Sequence, residues 1–154
     1  MRPLPRLTLL ARLRRDRRGT AAIEFAVLAP LLVLLLVATV ELGFMMRAKI
    51  LAEEAASAGA LYASQHSFNA TAIANAVTSA SSEAAISATP APADWWGCPS
   101  TTAITAVAAG SLCGDGKAAR HYVTVSAAAP RTSILGSSFD LPANATASSV
   151  VRLP

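Results

Sequence analysis

The chain has 154 residues, of which 53% are hydrophobic, 5% aromatic and 14% charged. Its mean hydropathy is +0.46. That leaves room for one domain rather than two, and it argues against an ordinary soluble enzyme and toward a membrane. The net charge of +4 is unevenly placed: residues 2–18 hold seven arginines against one acid, Asp16, for +6, and the remaining six basic and eight acidic groups leave −2. Basic residues gathered before an apolar run, not spread over a folded face, argue against a nucleic-acid partner.

The first element in chain order is the apolar segment Thr20 to Phe44. At about 1.5 Å per residue its helix exceeds the roughly 30 Å hydrocarbon core of a bilayer. Its charges, Glu24 and Glu41, lie toward its two ends, and the arginines before it place the N-terminus in the cytoplasm. Pro30 removes one backbone donor inside this helix, producing either a mild kink or a locally melted turn. The helical pattern continues through the alanine-rich, proline-free stretch Met45 to Ser64, with Lys49 and Glu53 as i,i+4 partners. One long helix over 20–64 is therefore expected. A second, over about 70–85, has Asn69 or Thr71 near its N-cap.

Pro90 and Pro92 mark a break, after which threonine, valine and glycine replace alanine. Residues 101–107 and 121–127 alternate as strands should, and Gly110 to Gly116 between them has the character of a hairpin loop. A last strand is expected over 145–152. The fold class is α+β: a single N-terminal transmembrane helix continuing into a long stalk helix, packed by a small antiparallel sheet. The implied organisation is a basic cytoplasmic leader (1–19), a transmembrane helix (20–44), a helical stalk (45–88) and a small periplasmic β-rich domain (89–154).

The two cysteines, Cys98 and Cys113, fall in the part expected outside the cytoplasm, where disulfides persist. A bridge would close a loop worth about 3 kcal/mol in chain-entropy models. A long strand over 101–107 would instead carry them apart, so either the loop folds back or that strand is short. Trp95 and Trp96 are expected in the core. His66 and His121 are isolated, the serines flank no base, and no Cys/His cluster suggests a metal, so no catalytic residue and no cofactor are assigned. Gly114 to Lys117 lacks the spacing of a phosphate loop and has turn chemistry.

Before the apolar run the order is Arg17, Arg18, Gly19, Thr20, Ala21, Ala22, Ile23, Glu24, Phe25. A basic stretch, a glycine and a glutamate five residues into a helix resemble the processing site of type IV-like prepilins. Cleavage after Gly19 would make Thr20 the first mature residue and Glu24 the fifth. A new α-amino group, with a pKa near ~7.7–8.0, is largely charged, and Glu24 in an apolar helix is unfavourable unless paired. Glu24 then either matches a neighbouring subunit's terminal amine or simply lies at the cytoplasmic interface. A Sec signal peptide would need a shorter apolar core and a better site than Val40 to Gly43, and paired arginines are expected in any such leader.

The segment from Gly19 to Ser64 resembles the TadE-like family of pilus-assembly pseudopilins. The residues that carry the likeness are Gly19, Ala22, Glu24, Phe25, Pro30, Glu41, Gly43 and the run Ala56 to Ala63. The alternating strand at Tyr122 to Ser126 and the final strand ending in Arg152 agree more weakly. Phe25 departs from the tyrosine usual in the major pilins of these systems. The resemblance implies a non-catalytic minor pseudopilin of the tight-adherence (Flp) pilus in the bacterial inner membrane. It implies Gly19 and Thr20 as the processing site of a prepilin peptidase, and Glu24 and Phe25 as assembly residues. Its implied partners are membrane lipid, other pilins and pseudopilins, and the Tad secretion machinery. The alternative is an uncleaved, membrane-anchored periplasmic binding domain.

Overall fold

The computed structural model describes residues 19–82, 85–136 and 142–154; the arginine-rich leader expected at the N-terminus lies outside the described residues. The elements are α1 (Thr20–Gln65), α2 (Ala70–Thr78), β1 (Ala93–Pro99), β2 (Ile104–Val107), β3 (Arg120–Pro130) and β4 (Asn144–Arg152). The strands form one antiparallel sheet in the order β2-β1-β3-β4. The α+β expectation holds, with a long apolar helix and a four-stranded sheet. The chain divides into two compact units between Val40 and Glu41.

In the first unit the side chains of α1 are almost all exposed, including Ile23, Phe25, Leu28 and the run from Leu31 to Leu36. Among the described residues, α1 is the one helix long and apolar enough to cross a membrane by length and composition. Pro30 lies inside this unbroken helix.

The second unit is held by a seam of very small residues. Ala52, Ala55, Ala56, Ala60 and Ala63 of α1 pack with Ile73 and Val77 of α2 and with Val123, Val125, Ala127 and Ala129 of β3. Recurrence at three- and four-residue steps puts the alanines on one helix face, and their small size lets the backbones approach. Gly59 marks the closest approach. A Cβ built there would meet Val77 Cγ2 at 2.5 Å and Val125 Cγ1 at 2.8 Å.

Three expectations need correction. The second helix ends at Thr78 instead of reaching residue 85. Asn69 caps its start, accepting the Ala72 N–H at 3.0 Å, but Thr78 and Ser79 hydroxyls both donate to the Asn75 carbonyl. Such hydroxyls compete with the helical ladder and favour termination. The strand expected over 101–107 begins only at Ile104, because Ser100 and Ala103 close a tight turn through reciprocal hydrogen bonds.

The third correction concerns topology. Residues 110–116 do not join neighbouring strands, since β1 lies between β2 and β3. β1, with Trp95 and Trp96, was hidden by the prolines and glycine around it. The crossing loop instead makes its own small bridge, Leu112 to Ala118. It turns at Gly116, whose φ of +74° suits glycine. Cys98 and Cys113 are disulfide-bonded with Cα atoms 5.4 Å apart. Cys98 belongs to β1, opposite Thr105, so the loop folds back to reach it and the short β2 removes the conflict.

Candidate functional site

The residues proposed for processing and assembly occupy the start of α1. Gly19 forms the turn before the helix, and Thr20 is its first residue. Glu24 and Phe25 are both exposed on its opening turns, Phe25 to 65%. The peptide bond before Thr20 sits at the junction of turn and helix. Ala22 and Ala26 are exposed and Ala29 is partly exposed.

The second unit opens with a buried carboxylate. Glu41 Oε2 accepts from Arg131 Nη1 at 2.9 Å. Its other oxygen, Oε1, accepts from Ser133 Oγ at 2.8 Å and from the backbone N–H groups of Ile134 and Leu135 at 2.6 and 2.8 Å. Arg131 also donates through Nε to the Pro142 carbonyl at 3.1 Å. Both charged side chains are nearly sealed, 5% exposed for Arg131 and 7% for Glu41. A charge taken out of water is tolerated when it is paired and its remaining lone pairs are satisfied, which four donors achieve here. The sequence marked Glu41 as an end of the apolar run but gave no partner. The available signal was Arg131, directly after the strand-ending Pro130.

A third cluster lies at the far edge of β1. Trp96 stacks on His121 with ring centroids 4.7 Å apart, and His121 Nε2 lies 2.8 Å from Asp94 Oδ2. Trp95, pointing to the opposite face, stacks on Tyr122 and donates to Thr124 Oγ1 at 2.9 Å. Trp96 is 36% exposed and Trp95 is half-buried, so the pair is not the core expected from sequence, and His121 is not isolated. His66 stacks on Tyr62 and bonds its carbonyl. Among the described residues no group of three or more His, Cys, Asp or Glu could hold a metal.

The helix with its glutamate near the start, its proline and its alanine–glycine seam is the arrangement that a family comparison can decide. Residues 19–61 match the TadE-like protein family. No curated protein and no solved structure matches the chain. The TadE-like segment runs from the turn residue Gly19 to the penultimate turn of α1 and carries Glu24, Pro30, Glu41 and Gly59. The match over residues 19–61 suggests a Tad pilus-associated component, and the exposed apolar helix fits a membrane anchor. The TadE-like segment also supplies physical reasons for its own pattern. Gly59 is required by the approach of Val77 and Val125, and Glu41 closes the 131–135 loop.

Proposed function

We propose that this TadE-like chain is a non-catalytic minor pseudopilin of a tight-adherence pilus, acting through helix–helix packing and subunit contacts outside the cytoplasm. Residues 1–19 form the cytoplasmic leader, 20–44 the inner-membrane span, 45–88 the stalk and 89–154 the periplasmic domain. A prepilin peptidase cuts between Gly19 and Thr20, and Glu24 then pairs with the terminal amine of a neighbouring pilin or pseudopilin.

The observation that carries this reading is the coincidence at the start of α1: the TadE-like match begins at Gly19, the helix begins at Thr20, and Glu24 is exposed one turn later. A carboxylate in an apolar helix is unfavourable unless paired, by about 2.5–3.5 kcal/mol at the bilayer centre and by less toward its ends, and a neighbouring subunit's terminal amine would supply the partner. The small side chains of Ala22, Ala26 and Ala29 suit close helix approach in lipid. β4, an outer strand of the sheet, offers a surface for lateral subunit contact.

The test is Glu24→Ala in cells carrying the whole secretion system. Membrane insertion is expected to stay normal while pilus number on the surface falls sharply. Unchanged piliation would remove Glu24 from assembly and favour an uncleaved, membrane-anchored binding domain.

A further inference from the structure

Each outer strand of the sheet turns a row of backbone groups away from its neighbour, and the register fixes which. Arg131 N donates to Ala143 O and Leu153 N to His121 O, one residue beyond either end of the β3–β4 pairing. Bonded and non-bonded pairs alternate along an antiparallel ladder. Ala145, Ala147, Ser149 and Val151 therefore bond inward, and Thr146, Ser148 and Val150 turn their N–H and C=O groups outward. Lys49 Nζ closes one of these, Thr146 O, at 2.7 Å. On β2 the bond from Ser100 N to Ala103 O extends the β1–β2 register, so Ile104 and Ala106 are the outward residues.

Beyond Lys49, these edges lack the devices that usually stop edge pairing. Residues 144–151 and 104–107 carry no charged side chain and no proline. Each edge bears instead one branched apolar side chain, Val150 at 47% and Ile104 at 37% exposed. The pairs Ile104–Pro99, Gly97–Arg120 and Tyr122–Arg152 carry one face across the sheet. Ile104 and Val150 lie on that same face, opposite to the Val123 and Val125 face that packs on α1.

Strand direction selects how a second copy fits. Every neighbouring pair in the order β2-β1-β3-β4 is antiparallel, so β2 and β4 run in opposite directions. The β4 of one copy then meets the β2 of an equally oriented copy as an antiparallel partner. Pairing β4 with β4 would need a two-fold axis that reverses one stalk, because α1 runs with β4, from Lys49 beside Thr146 to Gly59 beside Val125, the partner of Ser149. Copies anchored through α1 in one membrane keep one stalk direction.

We propose that this chain joins a second copy edge to edge, with Ser148 and Val150 of β4 pairing antiparallel with Ala106 and Ile104 of the next copy's β2, and Val150 packing on Ile104. No like charges oppose in this register, and Lys49 keeps its bond to Thr146. A contact between two different edges does not close on itself, so it extends into a row of copies. Two short strands bury far less than the roughly 1,200–2,000 Å² of a stable interface; confinement in the membrane raises the effective concentration that the contact needs. The pairing rests on the reading of the chain as a membrane-anchored pilus component and names the partner of β4.

The test is thiol cross-linking between two differently tagged full-length copies co-expressed in bacterial membranes, one carrying Val150→Cys and the other Ile104→Cys, with a short bis-maleimide. Cys98 and Cys113 are bonded to each other, so the added thiol is the one that reacts. The mixed 150–104 adduct is expected to exceed the 150–150 and 104–104 adducts several-fold. Ser148→Cys with Ala106→Cys should repeat the pattern, and adding Val150→Lys to that second pair should cut its yield several-fold. Equal yields of all three adducts, an excess of the 150–150 adduct, or no adduct from either pair would each overturn the pairing. Alkaline extraction of the same membranes separates this from the anchor. Protein that stays with the membrane and gives no mixed adduct overturns the pairing alone, and protein released by alkali overturns the anchor and the pairing with it.

Discussion

Arg131 meets Glu41 at 2.9 Å across 90 residues of sequence, joining the turn of α1 that opens the second unit to the chain leaving β3. The pair sets register more than it adds stability. Burying two charges costs nearly what their attraction returns, so such pairs are weak evidence of net stabilisation, but removing one partner leaves an uncompensated charge. The loop at 131–135 has no strand or helix of its own; the carboxylate of Glu41 supplies the acceptor for two of its backbone N–H groups.

Arg131→Met is therefore expected to lower the thermal midpoint of the detergent-solubilised chain by several degrees, because Glu41 loses its countercharge. Glu41→Gln is expected to lower it as well: the amide keeps an oxygen that can accept from Ile134 and Leu135, but the buried Arg131 guanidinium loses its countercharge and faces an amide donor. Adding Glu41→Leu to Arg131→Met should recover part of the loss. A double variant that is as unstable as the sum of the two single ones would contradict the coupling.

Gly59→Ala tests the alanine seam. In an exposed helix the change would stabilise by roughly 1 kcal/mol through helix propensity. Here the added Cβ would lie 2.5 Å from Val77 Cγ2 and 2.8 Å from Val125 Cγ1. Overpacking of this kind costs about 1–3 kcal/mol, so urea unfolding should show net destabilisation. Adding Val77→Ala should relieve the contact with α2 and leave only the one with Val125. A Gly59→Ala variant more stable than the parent would refute the packing.

Cys98→Ser with Cys113→Ser should lower stability by about 3 kcal/mol in the chain-entropy estimate for a loop of this length. The pair joins β1 to the crossing loop. Proteolysis is expected to cut first between Ala108 and Ala119 in that variant, read by fragment mass, and to spare the same stretch in the oxidised parent.

Much of the architecture was legible because its signals are local and periodic. The long α1, the Asn69 cap and the two longer strands follow from apolar runs, alternation and capping chemistry. β1 was not legible, since Trp95 and Trp96 stand between Pro92 and Pro99 and no alternation announces a central strand. The strand order depends on pairings of β1 with both β2 and β3, which no local pattern encodes. The same limit applied to Glu41: its burial depends on Arg131, Ser133 and two backbone N–H groups from a distant loop. By contrast, the proposed processing and assembly positions Gly19, Thr20, Glu24 and Phe25 rest on spacing along a single helix start, a pattern that can be proposed from sequence without any tertiary contact.

The central claim, that this is a processed pseudopilin, is tested most directly by the intact mass of the membrane-extracted protein produced alongside its own secretion machinery. The account predicts a mature chain that begins at Thr20. A mass retaining residues 1–19 would contradict processing and leave an uncleaved anchor, and a start near Leu42 to Ala48 would show that the apolar run is a signal peptide.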